Sequence, residues 1–205
     1  MFFQIFRGDL RFSLNFKDHV NNLKKKLRQT LRTFFYLRNI CSSQFLRCLY
    51  YALFDSHLQY GLTCWGGIYM HNIKPLIILQ KGVLKIMNYL PRITPSFPMF
   101  VNLKILPLRY LYVFKVLRMH YLISGHRLIN IQVSEPYLFR NMNRTKIPQP
   151  NKEHFKKFVS YIAPKLYSQL PLNIVNAANF KEYSRLLKDW LFTITNIKTL
   201  FESPC

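Results

Sequence analysis

The sequence predicts a mainly α fold, a helical bundle followed by a linker and a small helical C-terminal subdomain. Three observations predict it. Apolar residues recur at three- and four-residue spacing over several long stretches, the period of one helical face. Cap residues, prolines and glycines stand where those stretches begin and end. Half of the 205 residues are hydrophobic and 16% are aromatic, far too many for a disordered basic tail. A chain of this length can bury about 70% of its unfolded surface, so a true core is expected.

Taken in order, the first helix is expected from Asn15 to Leu37, with Val20, Leu23, Leu27, Leu31 and Phe34 on one face. Asn15 would cap it, with Asp18 three residues on as a weaker form of a capping-box acid. A second helix should begin at Ser42 or Ser43 and end at Gly61, burying Leu46, Leu49, Tyr50, Leu53, His57 and Tyr60. Gly61, Gly66 and Gly67 then break the period, and a short extended turn is expected to bury Trp65. The third helix spans Ile73 to Leu90, with Ile73, Leu76, Ile77, Val83, Leu84 and Met87 inward. Gln80 falls on that same face, so its amide must bond either the turn around Trp65 or a neighbouring helix end. Pro91, Pro95 and Pro98 mark a connection, with Ser96 heading a short helix through Leu103. Pro107 suits the first turn of a fourth long helix reaching Ile123, apolar nearly all round and hence buried.

Periodicity fades from Ser124 to Phe158, where the segment NMNRTKIPQPNK is polar and carries prolines. The expected division is therefore a helical region over 1–124, a linker over 125–158 and a helical tailpiece over 159–205. In the tailpiece Asn179 and Glu182 have capping-box spacing, and Phe180, Tyr183, Leu187, Trp190 and Leu191 form one stripe.

Charge and chemistry narrow the function. Thirty Lys and Arg against eight Asp and Glu leave a formal charge of +22. Such a field favours a polyanionic partner, nucleic acid or an anionic surface. Asp9, Asp18, Asp55, Asp189, Glu135, Glu153, Glu182 and Glu202 are scattered singly. Two-metal phosphoryl transfer and glycosidase chemistry both need converging carboxylates, so no hydrolase, catalytic residue or cofactor is expected. Cys41, Cys48, Cys64 and Cys205 lack CxxC spacing. Cys48 and His57, nine residues apart on one helix at about 100° per residue, fall on opposite faces, so buried reduced thiols are expected rather than zinc. The start MFFQIFRGDLRF has neither a basic leader nor a continuous apolar stretch, and no secretory signal is expected. The longest apolar run, ILPLRYLYVFKVLRMHYLIS, is broken by Arg109, Lys115, Arg118 and His120, so no membrane span is expected. The expected location is intracellular, nucleus or cytoplasm.

Two basic rows are the candidate binding residues. Asn21, Lys25, Arg28 and Arg32 fall within about 40° of one another on the first helical wheel, opposite its apolar face. Lys74, Lys81 and Lys85 line the outer side of the third helix in the same way. Rows of ammonium and guanidinium groups suit contact with phosphates irrespective of base sequence.

Four blocks, in order, carry a family resemblance. LNFKDHV (Leu14 to Val20), LYYALFDSHLQYGLTCWG, LQKGVLKIM and APKLYSQLPLNIVNAANFKEYSRLLKDWL together cover most of the chain from Leu14 to Leu191. They resemble the region after the catalytic palm in reverse transcriptases of non-LTR retrotransposons, the jockey-like group of LINE-type RNA-directed DNA polymerases. Tyr167 and Ser168 stand where that family has Trp-Asn, and His57 where a proline is common. The resemblance implies a thumb and post-thumb region of a retroelement polymerase, with the palm and its Asp-Asp metal site placed before Met1. It also implies that the basic rows face an RNA or DNA duplex backbone, with a palm domain as a further partner and no small-molecule substrate. The alternative reading is a structural module that packs on a polymerase domain or host partner. A third, a basic aromatic protein on anionic lipid, ranks below both, because internal packing should consume the apolar faces.

Overall fold

The computed structural model describes residues 16–67, 70–129, 158–194, 197 and 199–202. All regular structure among them is helical, so the fold is mainly α as the periodicity predicts. Two compact units divide the chain, Met1–Leu108 and Arg109–Cys205. The fourth long helix therefore groups with the C-terminal region, whereas the sequence places it with residues 1–124.

In the first unit α1 spans Lys17–Leu37 and buries Val20, Leu23, Leu27 and Phe34, the expected face, with Leu31 half-buried. Full burial of an aliphatic or aromatic side chain contributes about 1.5–3 kcal/mol, so this stripe alone accounts for the helix in a chain segment rich in lysine. The helix starts one residue later than the Asn15 cap requires. Phe16 precedes it in the left-handed region (φ 45°) with no side-chain cap, and Asn15 lies outside the described residues.

Residues 38–41 reverse the chain, and Ser42 caps the next helix by accepting from the Phe45 N–H. That helix is α2 (Ser43–Leu49), a π-helical segment (Tyr50–Asp55) and α3 (Ser56–Gln59), without a break between them. Its buried residues are Leu46, Tyr50, Phe54, Asp55 and Leu58. The expected Leu53, His57 and Tyr60 are instead exposed. Four-residue steps from 46 to 58 would drift about 40° each on an α-helix. The wider winding of the π segment, with the Ser56 N–H bonded five residues back to Tyr51, absorbs that drift.

Gly61, at φ 59°, then turns the chain into α4 (Leu62–Trp65), so a single helical turn replaces the expected extended one. The indole is fully buried as expected, and its Nε1 donates to the Tyr60 carbonyl at 2.8 Å.

The next helix, α5 (Met70–Met87), buries Ile73, Leu76, Gln80, Val83, Leu84 and Met87, while Ile77 is half-buried. It begins three residues before Ile73, which places Pro75 inside the helix. The bond Pro75 cannot make would have gone to the carbonyl of exposed His71, to which water can donate instead. Gln80 is wholly buried and satisfied: Nε2 donates to the Tyr50 hydroxyl and the Leu106 carbonyl, both at 3.1 Å, and Oε1 accepts from the Leu108 N–H at 2.8 Å. Of the two expected partners, the neighbouring helix end is the one it uses. Burial, with smaller help from the Asp55 charge, pushes the Tyr50 hydroxyl far above its ordinary range, so Tyr50 remains a neutral hydrogen-bonding member of this network.

A short helix α6 (Ser96–Asn102) follows, with Pro95 rather than Ser96 at the cap position. Both α5 and α6 end in Schellman motifs with a non-glycine residue in the left-handed region, Tyr89 (φ 54°) and Lys104 (φ 54°). The Leu90 N–H bonds Lys85 O and the Ile105 N–H bonds Phe100 O. Left-handed backbone costs a side-chain-bearing residue about 1–2 kcal/mol relative to glycine. Lys104→Gly is therefore expected to raise stability by about 1 kcal/mol, read as a higher urea midpoint; a lower midpoint contradicts this.

In the second unit α7 (Leu108–Ile129) extends beyond Ile123, so residues 125–129 of the expected linker are helical; 130–157 lie outside the described residues. It is followed by α8 (Val159–Tyr167), α9 (Leu172–Val175), α10 (Phe180–Thr193) and α11 (Thr199–Glu202). Asn179 caps α10, its side chain accepting from the Glu182 N–H at 2.9 Å, and Glu182 reaches back to the Ala178 N–H. Tyr183, Leu187 and Leu191 are the buried part of the expected stripe; Phe180 and Trp190 are half-buried. Tyr183 stacks on Tyr121 of α7 at 4.3 Å between centroids. Two of the cations that interrupt α7 lie over aromatic faces, Arg118 over Phe180 and Phe114, and Arg109 over Phe201 at 4.4 Å.

His120 packs edge-on against Tyr167, and burial holds its imidazole below the ordinary 6.5. The unfolded chain thus takes up a proton where the folded chain does not. Stability conferred by the neutral form is complete above about pH 6.5 and is lost as pH falls from there through the lower folded-state value. Thermal unfolding between about pH 8 and pH 5 should show a steeper acid-side loss for the wild type than for His120→Gln, whereas parallel curves would contradict it.

Candidate nucleic-acid interface

The direction of the helices decides what the basic rows can do together. Leu31 on α1 approaches Gly82 on α5, where a Cβ would lie 3.1 Å from the leucine methyl carbon. One helical stage further along, the Arg38 guanidinium lies over the Tyr89 ring. Both pairs are 51 positions apart, so α1 and α5 lie side by side and run in the same direction. Glycine at position 82 leaves room for that approach.

Both helices turn their apolar faces toward the α2–α3 helix, α5 through Gln80 and Tyr50 and α1 through direct contact with the π segment. Residues opposite those faces therefore share the outward side. On α1 these are Lys25, Arg28 and Arg32, all exposed, together with Asn21. On α5 they are Lys74 and Lys81, also exposed. Lys85 keeps its place on that side but is half-buried, and its Nζ donates to the Arg92 carbonyl, fastening the loop after α5. Its charge stays near the row, but its side chain has a structural bond to keep.

The outcome is a broad cationic face made of two parallel rows, with no acidic residue among the members of either row. Phosphate oxygens accept hydrogen bonds from such groups at many registers, which holds a strand without reading its bases. Asp18 is the acidic residue of α1 and sits in its first turn, where the helix dipole favours it.

Sequence reasoning missed the residues at which the rows end. Phe35, Tyr36 and Tyr89 are exposed beside Arg38 at the C-terminal ends of α1 and α5. The positions of Phe35 and Tyr36 off the apolar face were readable from the helical wheel; that of Tyr89, fifty-one positions beyond Arg38, was not.

Cysteine placement differs from expectation. Cys48 and Cys64 are exposed and Cys41 is half-buried, all as free thiols, while Cys205 lies outside the described residues. Among the described residues no three His, Cys, Asp or Glu side chains gather closely enough to hold a metal ion, and no helix is long and apolar enough to cross a membrane. No protein-family model, no curated protein and no solved structure matches the chain.

Proposed function

We propose that this chain binds RNA and DNA through their backbones without sequence preference, as a thumb and post-thumb region of a non-LTR retrotransposon reverse transcriptase would. The observation that carries the reading is the pair of parallel basic rows, Lys25–Arg28–Arg32 and Lys74–Lys81, on one outward face of α1 and α5. The charge of +22 extends attraction to a polyanion beyond these contacts. In this reading the chain grips a template–primer duplex, and no residue of it is assigned a catalytic role.

The test is a salt titration of binding to a duplex of arbitrary sequence. Log affinity should fall linearly with log salt, and permuting the base sequence should leave the affinity unchanged. Affinity that does not respond to salt between about 50 and 200 mM would sink the proposal.

A further inference from the structure

Where the two basic rows end, the surface changes character. Phe35, Tyr36 and Tyr89 are 49%, 71% and 59% exposed, and Phe35 and Tyr89 flank one arginine. The Arg38 guanidinium lies 4.3 Å from the Phe35 ring centroid and 5.0 Å from that of Tyr89. Phe35 and Tyr36 meet edge to face at 6.2 Å. The Tyr89 hydroxyl donates to the Arg38 carbonyl, tying the ends of α1 and α5 together. Tyr89 occupies a left-handed position that glycine would fill without strain, so the backbone holds this ring out at a cost.

The electrostatics of that end differ from those of the rows. Two helix C-termini converge there and contribute partial negative charge, which opposes phosphate. Arg38 offsets it without extending the rows, and its Nε makes no hydrogen bond in the protein. Exposed aromatic rings flanked by cations, beside a track for phosphates, suit the flat faces of unpaired bases. Apolar burial by a protein partner would instead leave Arg38 facing the covering surface with its charge uncompensated.

We infer that Phe35, Tyr36 and Tyr89, with Arg38, form a stacking platform for unpaired bases at the end of a strand whose phosphates follow the basic rows. The inference rests on the proposed backbone binding and adds a second class of ligand, single-stranded nucleic acid. Tyr36 is the most exposed of the rings; Phe35 packs against it edge to face.

Three probes separate the contributions: an oligothymidine, the same oligomer with abasic residues in place of thymidines, and a duplex. The full-length chain should bind the intact single strand more tightly than the abasic strand. Tyr36→Ala should weaken intact single-strand binding by at least about fivefold, the scale of one lost base–aromatic stack, and leave abasic and duplex binding unchanged. Tyr36→Phe should restore the preference, since a ring and not a hydroxyl is required. Equal loss on the intact and abasic strands, or no loss on any probe as expected of a protein-docking patch, would overturn the inference. Salt-dependent binding that shows no abasic penalty overturns the platform and leaves the backbone reading standing, whereas salt-insensitive binding removes both.

Discussion

Gln80→Leu should cost the first unit about 3 kcal/mol or more, read as a lower urea midpoint with an unchanged m-value. The substitution preserves volume and adds apolar character, so on hydrophobic grounds alone it ought to be tolerated. What it removes are three partners at once: the donor to the Tyr50 hydroxyl, the donor to the Leu106 carbonyl and the acceptor for the Leu108 N–H. Each buried group left unsatisfied costs about 1–3 kcal/mol. The Tyr50 hydroxyl cannot escape by ionising, because burial and the nearby Asp55 charge push its pKa upward. Adding Tyr50→Phe to Gln80→Leu should return part of the loss by removing one orphan, giving a coupling of about 1 kcal/mol between the two sites. A loss below about 1 kcal/mol, or strict additivity of the pair, would show that the network does not hold the π segment, α5 and the Leu106–Leu108 backbone together.

How much of this could be read from the sequence depends on how local the cause is. The 3,4 spacing of Val20, Leu23, Leu27 and Phe34 defines its own face, and α1 buries those residues. The Asn179–Glu182 spacing is likewise a contact between near neighbours, and it forms. Gln80 was readable in kind, since a buried amide must have partners, but only the fold selects Tyr50, Leu106 and Leu108. The second helix shows where local reading fails. An unbroken α-helix would bury Leu53, His57 and Tyr60, and a π segment, specified by packing rather than by any residue in YYALFD, buries Phe54 and Leu58 instead.

The candidate site divides the same way. Five of the six predicted cations stand exposed on the two rows, because a helical wheel suffices to place them. Lys85 lies on the same row, but its bond to Arg92 depends on the path of the loop after α5, which no wheel shows. The aromatic cluster depends on the parallel pairing of α1 and α5 and on a tyrosine in a backbone conformation that favours glycine. Neither leaves a periodic signal.

In the proposed function the α1 row contacts phosphates, and the triple variant Lys25→Ala, Arg28→Ala, Arg32→Ala puts this to the test. All three side chains are exposed, so the fold should survive, as far-UV circular dichroism would show. Duplex affinity should drop about tenfold or more at low salt. Each lost phosphate contact should lower the slope of log affinity against log salt by about 0.9, so the three together should reduce it by roughly 2–3. The loss should be the same for every base sequence, because backbone contacts carry no sequence information. A folded triple variant with wild-type affinity and an unchanged salt slope would rule out phosphate contact by this row and favour a module that packs on another protein.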